Sequence, residues 1–305
     1  IIPDKFKGTL TAAAAAAAIA SGWASVRPQD RLVRLPMSDG GDGFGEILSQ
    51  LLQAEPRTVT TVDAAHRPRE SFWWWQAATR TAIMESAQVI GLALLPPHRY
   101  HPFELDTFGL GAVFQAAARA GARRCLLGIG GSATNDGGFG LARALGWRFF
   151  ADGCEEILRW TDLSRLHSLL PPSAPKWFDE IVVAVDVQNV LLGPAGCTRI
   201  YGPQKGLRPE DFEAAEMSLA MLAETVSREL NPALHLEPGT GAAGGLGFGL
   251  RAFAGARIEP GFDLFASVAG LRERMKGVQL AITGEGAIDE SRGCGDASCR
   301  CGAGS

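Results

Sequence analysis

The stretch Gly128-Ile-Gly-Gly-Ser-Ala-Thr-Asn-Asp-Gly-Gly-Phe-Gly140 constrains the fold more than any other part of this chain. An apolar run, Arg123-Arg124-Cys125-Leu126-Leu127, leads into it and reads as a buried strand. Leu141, Ala142, Leu145 and Trp147 follow at roughly helical spacing. The order is therefore strand, glycine-dense turn, helix start. Glycine permits positive φ and close backbone approach. A helix start offers unpaired N–H groups and the positive end of a dipole. Together these make an anion site, to which Asn135 and Asp136 add an amide and a carboxylate. A tight turn that binds nothing would show the same glycines, so the rest of the chain has to decide.

A second segment repeats the order. Arg31-Leu32-Val33-Arg34-Leu35-Pro36 reads as a strand, Ser38-Asp39-Gly40-Gly41-Asp42-Gly43 as a turn, and Phe44, Ile47, Leu48, Leu51 and Leu52 mark an amphipathic helix. Asp39-Gly-Gly-x-Gly43 and Asp136-Gly-Gly-x-Gly140 share one pattern. Turn geometry alone asks for one glycine and no carboxylate, so the repetition favours function over structure. Other strands end in carboxylates too. Ile181 to Val185 is an apolar run closed by Asp186, and Val278 to Thr283 empties into Gly284-Glu285-Gly286. Open α/β sheets bind ligands at such strand ends. Ile1-Ile2-Pro3, with no Met before it, reads as the end of a first strand, and Lys5 and Lys7 flank that end.

Between these segments the texture changes. Residues 58–62, 71–76 and 81–85 read as an antiparallel meander. Trp73, Trp74 and Trp75 then face alternate sides and serve packing. Thr11 caps a helix that opens on seven alanines, Ala12 to Ala18. Leu110–Ala120 and Phe212–Leu230 read as helices. Arg199 to Gly206 reads as a loop carrying two cations and an amide, and Pro238 to Gly247 as a glycine loop closing over phosphates.

Composition narrows the classes. A net charge of −4 argues against general nucleic-acid binding. No apolar run reaches the ~20 residues of a membrane span. Cys125, Cys154 and Cys197 are scattered as in a reduced, cytoplasmic protein. Cys294, Cys299 and Cys301 crowd the end, without a common zinc spacing or a nearby His. Residues 291–305 contain no Leu, Ile, Val or aromatic residue and are expected to be disordered.

Taken together, Pro3-Asp4-x-Phe6-Lys7, Ser38 to Gly43, Gly128 to Gly138, Gly202-Pro-Gln-Lys-Gly206, Gly241-Ala-Ala-Gly-Gly245 and Thr283-Gly-Glu-Gly286 closely resemble the bacterial class I glycerate kinases. The resemblance covers residues 1–290 in order. It implies phosphorylation of glycerate with ATP and Mg²⁺, most often to 2-phosphoglycerate. It implies an α/β fold of two domains, a flavodoxin/Rossmann-like parallel-sheet domain built from both chain ends and an inserted mixed α/β domain. The boundaries expected are 1–60 plus 270–290 for the first domain and 61–269 for the second, with 291–305 a non-family tail. Asp42 stands where the family usually carries Glu. The family pattern also continues beyond Asp289 with further strands and helices, so the first domain is expected to be incomplete, insoluble and inactive as written.

Neither the resemblance nor the spacing assigns individual roles. As expectations, Asp39, Asp136, Asp186, Lys7 and Lys205 carry the reaction. Gly130, Gly131, Ser132, Thr134, Asn135, Gly241, Gly244, Gly245 and Glu285 hold the nucleotide, and Asp39, Asp42 and Asp186 hold the metal. The expected partner is glycerate, with no nucleic acid and no membrane, in a cytoplasmic protein that is free to form homo-oligomers. No P-loop lysine motif and no protein-kinase His-Arg-Asp set is present. The competing readings are a nicotinamide-linked oxidoreductase using Gly128-x-Gly130-x-x-Ala133 with Asp152 as the ribose acid, a non-catalytic binding protein, and an inactive kinase fragment.

Overall fold

A computed structural model describes residues 1–6, 8–173 and 176–286. Lys7 and the Cys294, Cys299 and Cys301 cluster lie outside the described residues, as does the whole 291–305 segment.

The chain runs β1 (Ile2–Pro3), α1 (Ala12–Val26), α2 (Phe44–Leu52), β2 (Glu55–Val62), β3 (Pro68–Gln76), β4 (Thr81–Glu85), α3 (Ala87–Ile90), α4 (Leu110–Arg119) and β5 (Arg124–Gly128). It continues with α5 (Phe139–Ala144), β6 (Arg148–Ala151), β7 (Leu166–Leu170), β8 (Glu180–Val185), α6 (Cys197–Lys205) and α7 (Phe212–Glu229). The last elements are α8 (Ala242–Ala254), β9 (Arg257–Pro260), α9 (Gly261–Ala269), α10 (Leu271–Met275) and β10 (Thr283–Gly284).

A six-stranded sheet in the order β2-β3-β4-β5-β8-β9 forms the frame. The β2-β3-β4 meander is antiparallel, as its alternating pattern predicts, and β4, β5, β8 and β9 are parallel. Strand alternation builds two cores from one sheet. Trp73, Ala82, Met84, Cys125, Leu127, Ile181 and Val183 face the larger core with α4, α5, α7 and α8. Trp74, Ile83, Leu126, Val182 and Ala184 face the smaller one with Phe44, Leu48, Leu264 and Phe265 of α2 and α9. The three tryptophans thus divide as expected. Gly45 of α2 makes room for Trp74, whose ring lies 1.9 Å from where a Cβ would stand. The fold is α/β with a mixed sheet, as expected. The expected boundary at residue 60 falls inside β2.

A second, two-stranded parallel sheet pairs β1 with β10. Arg31–Pro36 is extended beside it rather than a strand. The Leu35 and Met37 N–H groups donate to the Ile1 and Pro3 carbonyls at 2.9 and 3.0 Å, a ladder limited by the shortness of β1. The same limit reduces the expected Val278–Thr283 strand to Thr283–Gly284.

Three other expectations change. The helix after the Gly128 turn ends at Ala144, because Gly146 takes φ +97° and turns Trp147 out toward β6. Arg199–Lys205 is helix α6 rather than loop. Its Pro203 lies inside, and it stops at Gly206, whose φ of +105° only glycine adopts without strain. Pro238 to Gly247, expected as a glycine loop, runs from Ala242 as the start of α8. The Thr11 cap is present, its Oγ1 accepting from the Ala14 N–H at 3.1 Å.

Candidate active site

The parallel strands β1, β4, β5, β8 and β10 point their carboxyl ends at one cleft of about 2050 Å³. Asp4 follows β1, Glu85 closes β4, Ile129 to Ser132 follow β5, Asp186 follows β8 and Glu285 follows β10. Backbone dipoles and side chains placed there converge without disturbing the ladders, which is why such edges carry sites in open α/β sheets.

One wall is the Ser38–Gly43 turn. Gly40 presses against β8, where an added Cβ would lie 2.7 Å from the Ala184 carbonyl oxygen, and its own carbonyl accepts from the Gly130 N–H at 3.1 Å. The Asp39 carboxylate accepts from the Gly41 N–H and from Lys5 Nζ, both at 2.8 Å. Gly41 leaves the space Lys5 needs, since a Cβ there would stand 2.8 Å from Nζ. Burial works to raise the Asp39 pKa, but the Lys5 charge and hydrogen bond outweigh it, so Asp39 is held below the usual carboxylate range. Asp4, 4.0 Å from the same ammonium, is pushed the other way. Burial and then the Asp39 charge raise it to about 7. Two neighbouring carboxylates with pKa values driven apart are a usual arrangement for acid–base work.

The facing wall carries Lys205 at the end of α6. The residue is 5% exposed, and its ammonium donates to Ser132 Oγ at 3.3 Å and the Thr134 carbonyl at 2.7 Å, both neutral oxygens. Burial lowers its pKa to about 8. Tyr201, Gln204 and Arg208 line the same side, and His98, Arg99 and His101 come from the segment after α3.

The Gly128–Gly140 stretch therefore splits. Gly130, Gly131 and Ser132 line the cleft. Gly131 has φ +74° and leaves room for Asp42, whose Oδ1 lies 2.5 Å from the place of a Cβ. Thr134, Asn135 and Asp136 lie behind it, each wholly buried. Asn135 Nδ2 donates to Thr198 Oγ1 at 3.1 Å. Asp136 accepts from the Thr107 N–H and hydroxyl and from the Gly138 and Gly140 N–H groups, at 2.7–3.1 Å. Burial nonetheless raises its pKa to about 6. Its four hydrogen bonds are all internal, so the structure gives it the work of holding the turn.

Gly241, Gly244 and Gly245 also lie away from the cleft wall, which this segment reaches only with Ala242 and Ala243. A Cβ on Gly244 would meet the Thr134 carbonyl at 2.0 Å, one on Gly245 the Gly137 Cα at 2.8 Å, and one on Gly241 the Val190 carbonyl at 2.2 Å. Gly244 and Gly245 let α8 lie against the 134–138 turn, and Gly241 lets its start lie against Val190.

Of the expected residues, Asp39, Asp42, Asp186, Lys205, Gly130, Gly131, Ser132 and Glu285 share the cleft. The expected metal ligands Asp39, Asp42 and Asp186 all line the cleft. Among the described residues no three His, Cys, Asp or Glu side chains are arranged to hold a metal ion. The Lys5 ammonium already neutralises Asp39. Lys5 and Asp4 were marked in the sequence only as standing at a strand end, without a role, and Glu85 was passed over. Their signal was position, since all three stand at or next to a strand's carboxyl end.

A family model described as the glycerate kinase family matches residues 1–300. The chain belongs to the glycerate kinase family. It is 36% identical over 295 residues to a glycerate kinase of Halalkalibacterium halodurans, covering 95% of this chain and 77% of that one. It is 34% identical over 299 residues to the glycerate 2-kinase of Escherichia coli, again covering 95% and 77%. A crystal structure assigned to glycerate kinase 2 of Salmonella typhimurium LT2 superposes with a TM-score of 0.84 at 33% identity, over 97% of this chain and 80% of that one. The family match runs to residue 300, ten residues past the limit read from the motifs. Membership makes the protein a kinase enzyme with a two-domain α/β fold, and it sets aside the oxidoreductase reading. The structure supplies the physical reason. Asp152 follows β6, which pairs with β7 in an antiparallel sheet apart from that of β5, and it is not among the residues that line the cleft beside the β5 turn.

Proposed function

We propose that this chain transfers the terminal phosphoryl group of ATP, taken up as its magnesium complex, to the 2-hydroxyl of glycerate. The observation that carries this reading is the Lys205 ammonium, buried in the cleft wall with two neutral oxygens for partners. A buried charge with no counter-ion in contact, only the Asp136 carboxylate acting from farther off, costs several kcal/mol. Such a cost is recovered when an anion docks, and a transferring phosphoryl group concentrates negative charge on its oxygens. Across the cleft, Lys5 keeps Asp39 ionised, and an ionised carboxylate can accept the proton of the attacking hydroxyl. Arg99 on the cleft wall is a cation within the same space for the glycerate carboxylate. Phosphoryl transfer depends on positioning and charge neutralisation more than on covalent help, and this cleft is built for both. The names of the H. halodurans and E. coli relatives support glycerate as acceptor, and the second supports its 2-hydroxyl.

Because Asp39, Asp42 and Asp186 do not form a closed ligand set, no step is assigned to a resident metal. Coupled assay of the full chain should show ADP release that requires glycerate and stops with a chelator. NMR of the product should show phosphate on the second carbon. ADP release indifferent to glycerate rejects the acceptor, and phosphate on the third carbon rejects the position.

A further inference from the structure

The two Asp-Gly-Gly-x-Gly turns are not held in the same way. In the second, one carboxylate takes both the near and the far N–H of the turn. Asp136 accepts from Gly138 N–H two residues on and from Gly140 N–H four residues on. In the first, Asp39 accepts from Gly41 N–H at the equivalent near position. The far position, Gly43 N–H, donates instead to Glu85 Oε1 at 3.1 Å, and Gly45 N–H donates to Glu85 Oε2 at 3.0 Å. Glu85 comes from the end of β4 in the central sheet, 40 residues or more along the chain, and is 5% exposed. Each of its oxygens is thus aimed at one backbone N–H of the turn or of the α2 entrance.

We infer that Glu85 is a positioning residue, one that takes over the far end of the Ser38–Gly43 turn so that the Asp39 carboxylate is released to face Lys5 and the cleft. The turn then has two fixed ends. Gly40 is locked on Ala184 and Gly130, and Gly43 and Gly45 are locked on Glu85. Asp39 and Gly41 lie beside and between these anchors, so a carboxylate that must meet a hydroxyl is fixed to a rigid sheet and not to a free loop. Misplacing a reacting group by about 1 Å costs up to about 100-fold in rate. The inference rests on the reading of Asp39 as a participant in the reaction.

The test is a double-mutant cycle in kcat on the full chain, using Glu85→Gln, Glu85→Ala and Asp39→Ala. Glu85→Gln keeps the shape and one acceptor, so it folds where Glu85→Ala does not. Expected is a kcat loss for Glu85→Gln of up to about 100-fold with little change in KM. In the Asp39→Ala background the same change should alter kcat by no more than about twofold. Hydrogen exchange should quicken in Glu85→Gln at whichever of the Gly43 and Gly45 amides faces the new NH₂ group, whatever the activity. Equal losses in both backgrounds, or unchanged amide exchange, overturn the positioning role. Full activity in Asp39→Ala alone defeats instead the reading of Asp39, a separate result.

Discussion

The Asp-Gly-Gly-x-Gly turns at 39–43 and 136–140 are written alike and do different things. Both acids accept from the N–H two residues on, at 2.8 Å for Asp39 and 3.1 Å for Asp136. There the likeness ends. The variable position is Asp42 in the first turn, exposed at the cleft, and Phe139 in the second, with no exposure at all. Asp39 meets an ammonium, whereas Asp136 meets Thr107 and backbone N–H groups. The first turn stands between two sheets, where the cleft opens. The second is covered by α8, and Gly249 comes so close that a Cβ on Gly138 would lie 2.8 Å from its Cα. A local motif thus sets the backbone path, and the layer above it decides whether the carboxylate does chemistry or construction.

The sharpest way to break this contrast is to make the same change in both turns. Asp39→Asn should lower kcat by about 10²–10³-fold, as loss of an oriented charged group does, with the melting temperature nearly kept. Asp136→Asn turns an amide N–H₂ toward N–H donors in a sealed site, which should cost about 1–3 kcal/mol of stability while the folded fraction keeps its turnover. Paired kinetics and thermal melts decide. Lost turnover at a normal melting temperature in Asp136→Asn would return that residue to the reacting centre.

A pH series sharpens the cleft side. Lys205 is lowered to about 8 by burial, from 10.5. If its charge holds the phosphoryl group, kcat/KM should fall about tenfold per pH unit above about 8. Stability should move oppositely. Between about 8 and 10.5 the unfolded chain binds the proton that the folded chain has lost, so this group's contribution rises with pH through that window. Lys205→Met should abolish the stability trend in denaturant titrations, and persistence of that trend would assign it to another group.

The smallest effect concerns the glycines. Gly138 has φ +76° and backbone against it, so Gly138→Ala should cost about 1–3 kcal/mol. Gly41 has an ordinary φ and meets first the movable end of Lys5, so Gly41→Ala should stay within about 0.5 kcal/mol yet reduce kcat by parting Lys5 from Asp39. Equal stability losses would mean the two turns are alike after all.

Much of this was legible in the residues. The β-rich runs at 58–62, 71–76 and 81–85, split by turns, announced the meander, and the division of the tryptophans followed because side chains in a strand must alternate. The apolar runs ending at Gly128 and Asp186 announced parallel strands with a site at their ends, because polar groups are affordable only where the ladder stops. Asp39, Asp42 and Asp186 were picked by that rule and line the cleft, whereas Lys205 was picked from a loop reading of Arg199 to Gly206. That reading failed, since Arg199–Lys205 is helical despite Pro203. A helix tolerates that residue when packing against α7 and α8 supplies what the lost hydrogen bond does not. The strand-end rule passed over Glu85, whose partners stand at Gly43 and Gly45.

By itself the sequence determined the local geometry, meaning where the backbone must turn at positive φ, which strands are buried on both faces, and that several carboxylates close those strands. It also determined the family, through motifs long enough to be specific. Only the tertiary structure decided which of two like turns faces solvent, which lysine meets Asp39, and that Gly241, Gly244 and Gly245 serve the packing of α8. The reason is that backbone preferences act over a few residues, whereas exposure, pairing and pKa depend on atoms brought near by the fold. Asp39 and Lys5 are 34 positions apart, Asp136 and Thr107 are 29, and nothing in either pentapeptide encodes the neighbour it will meet.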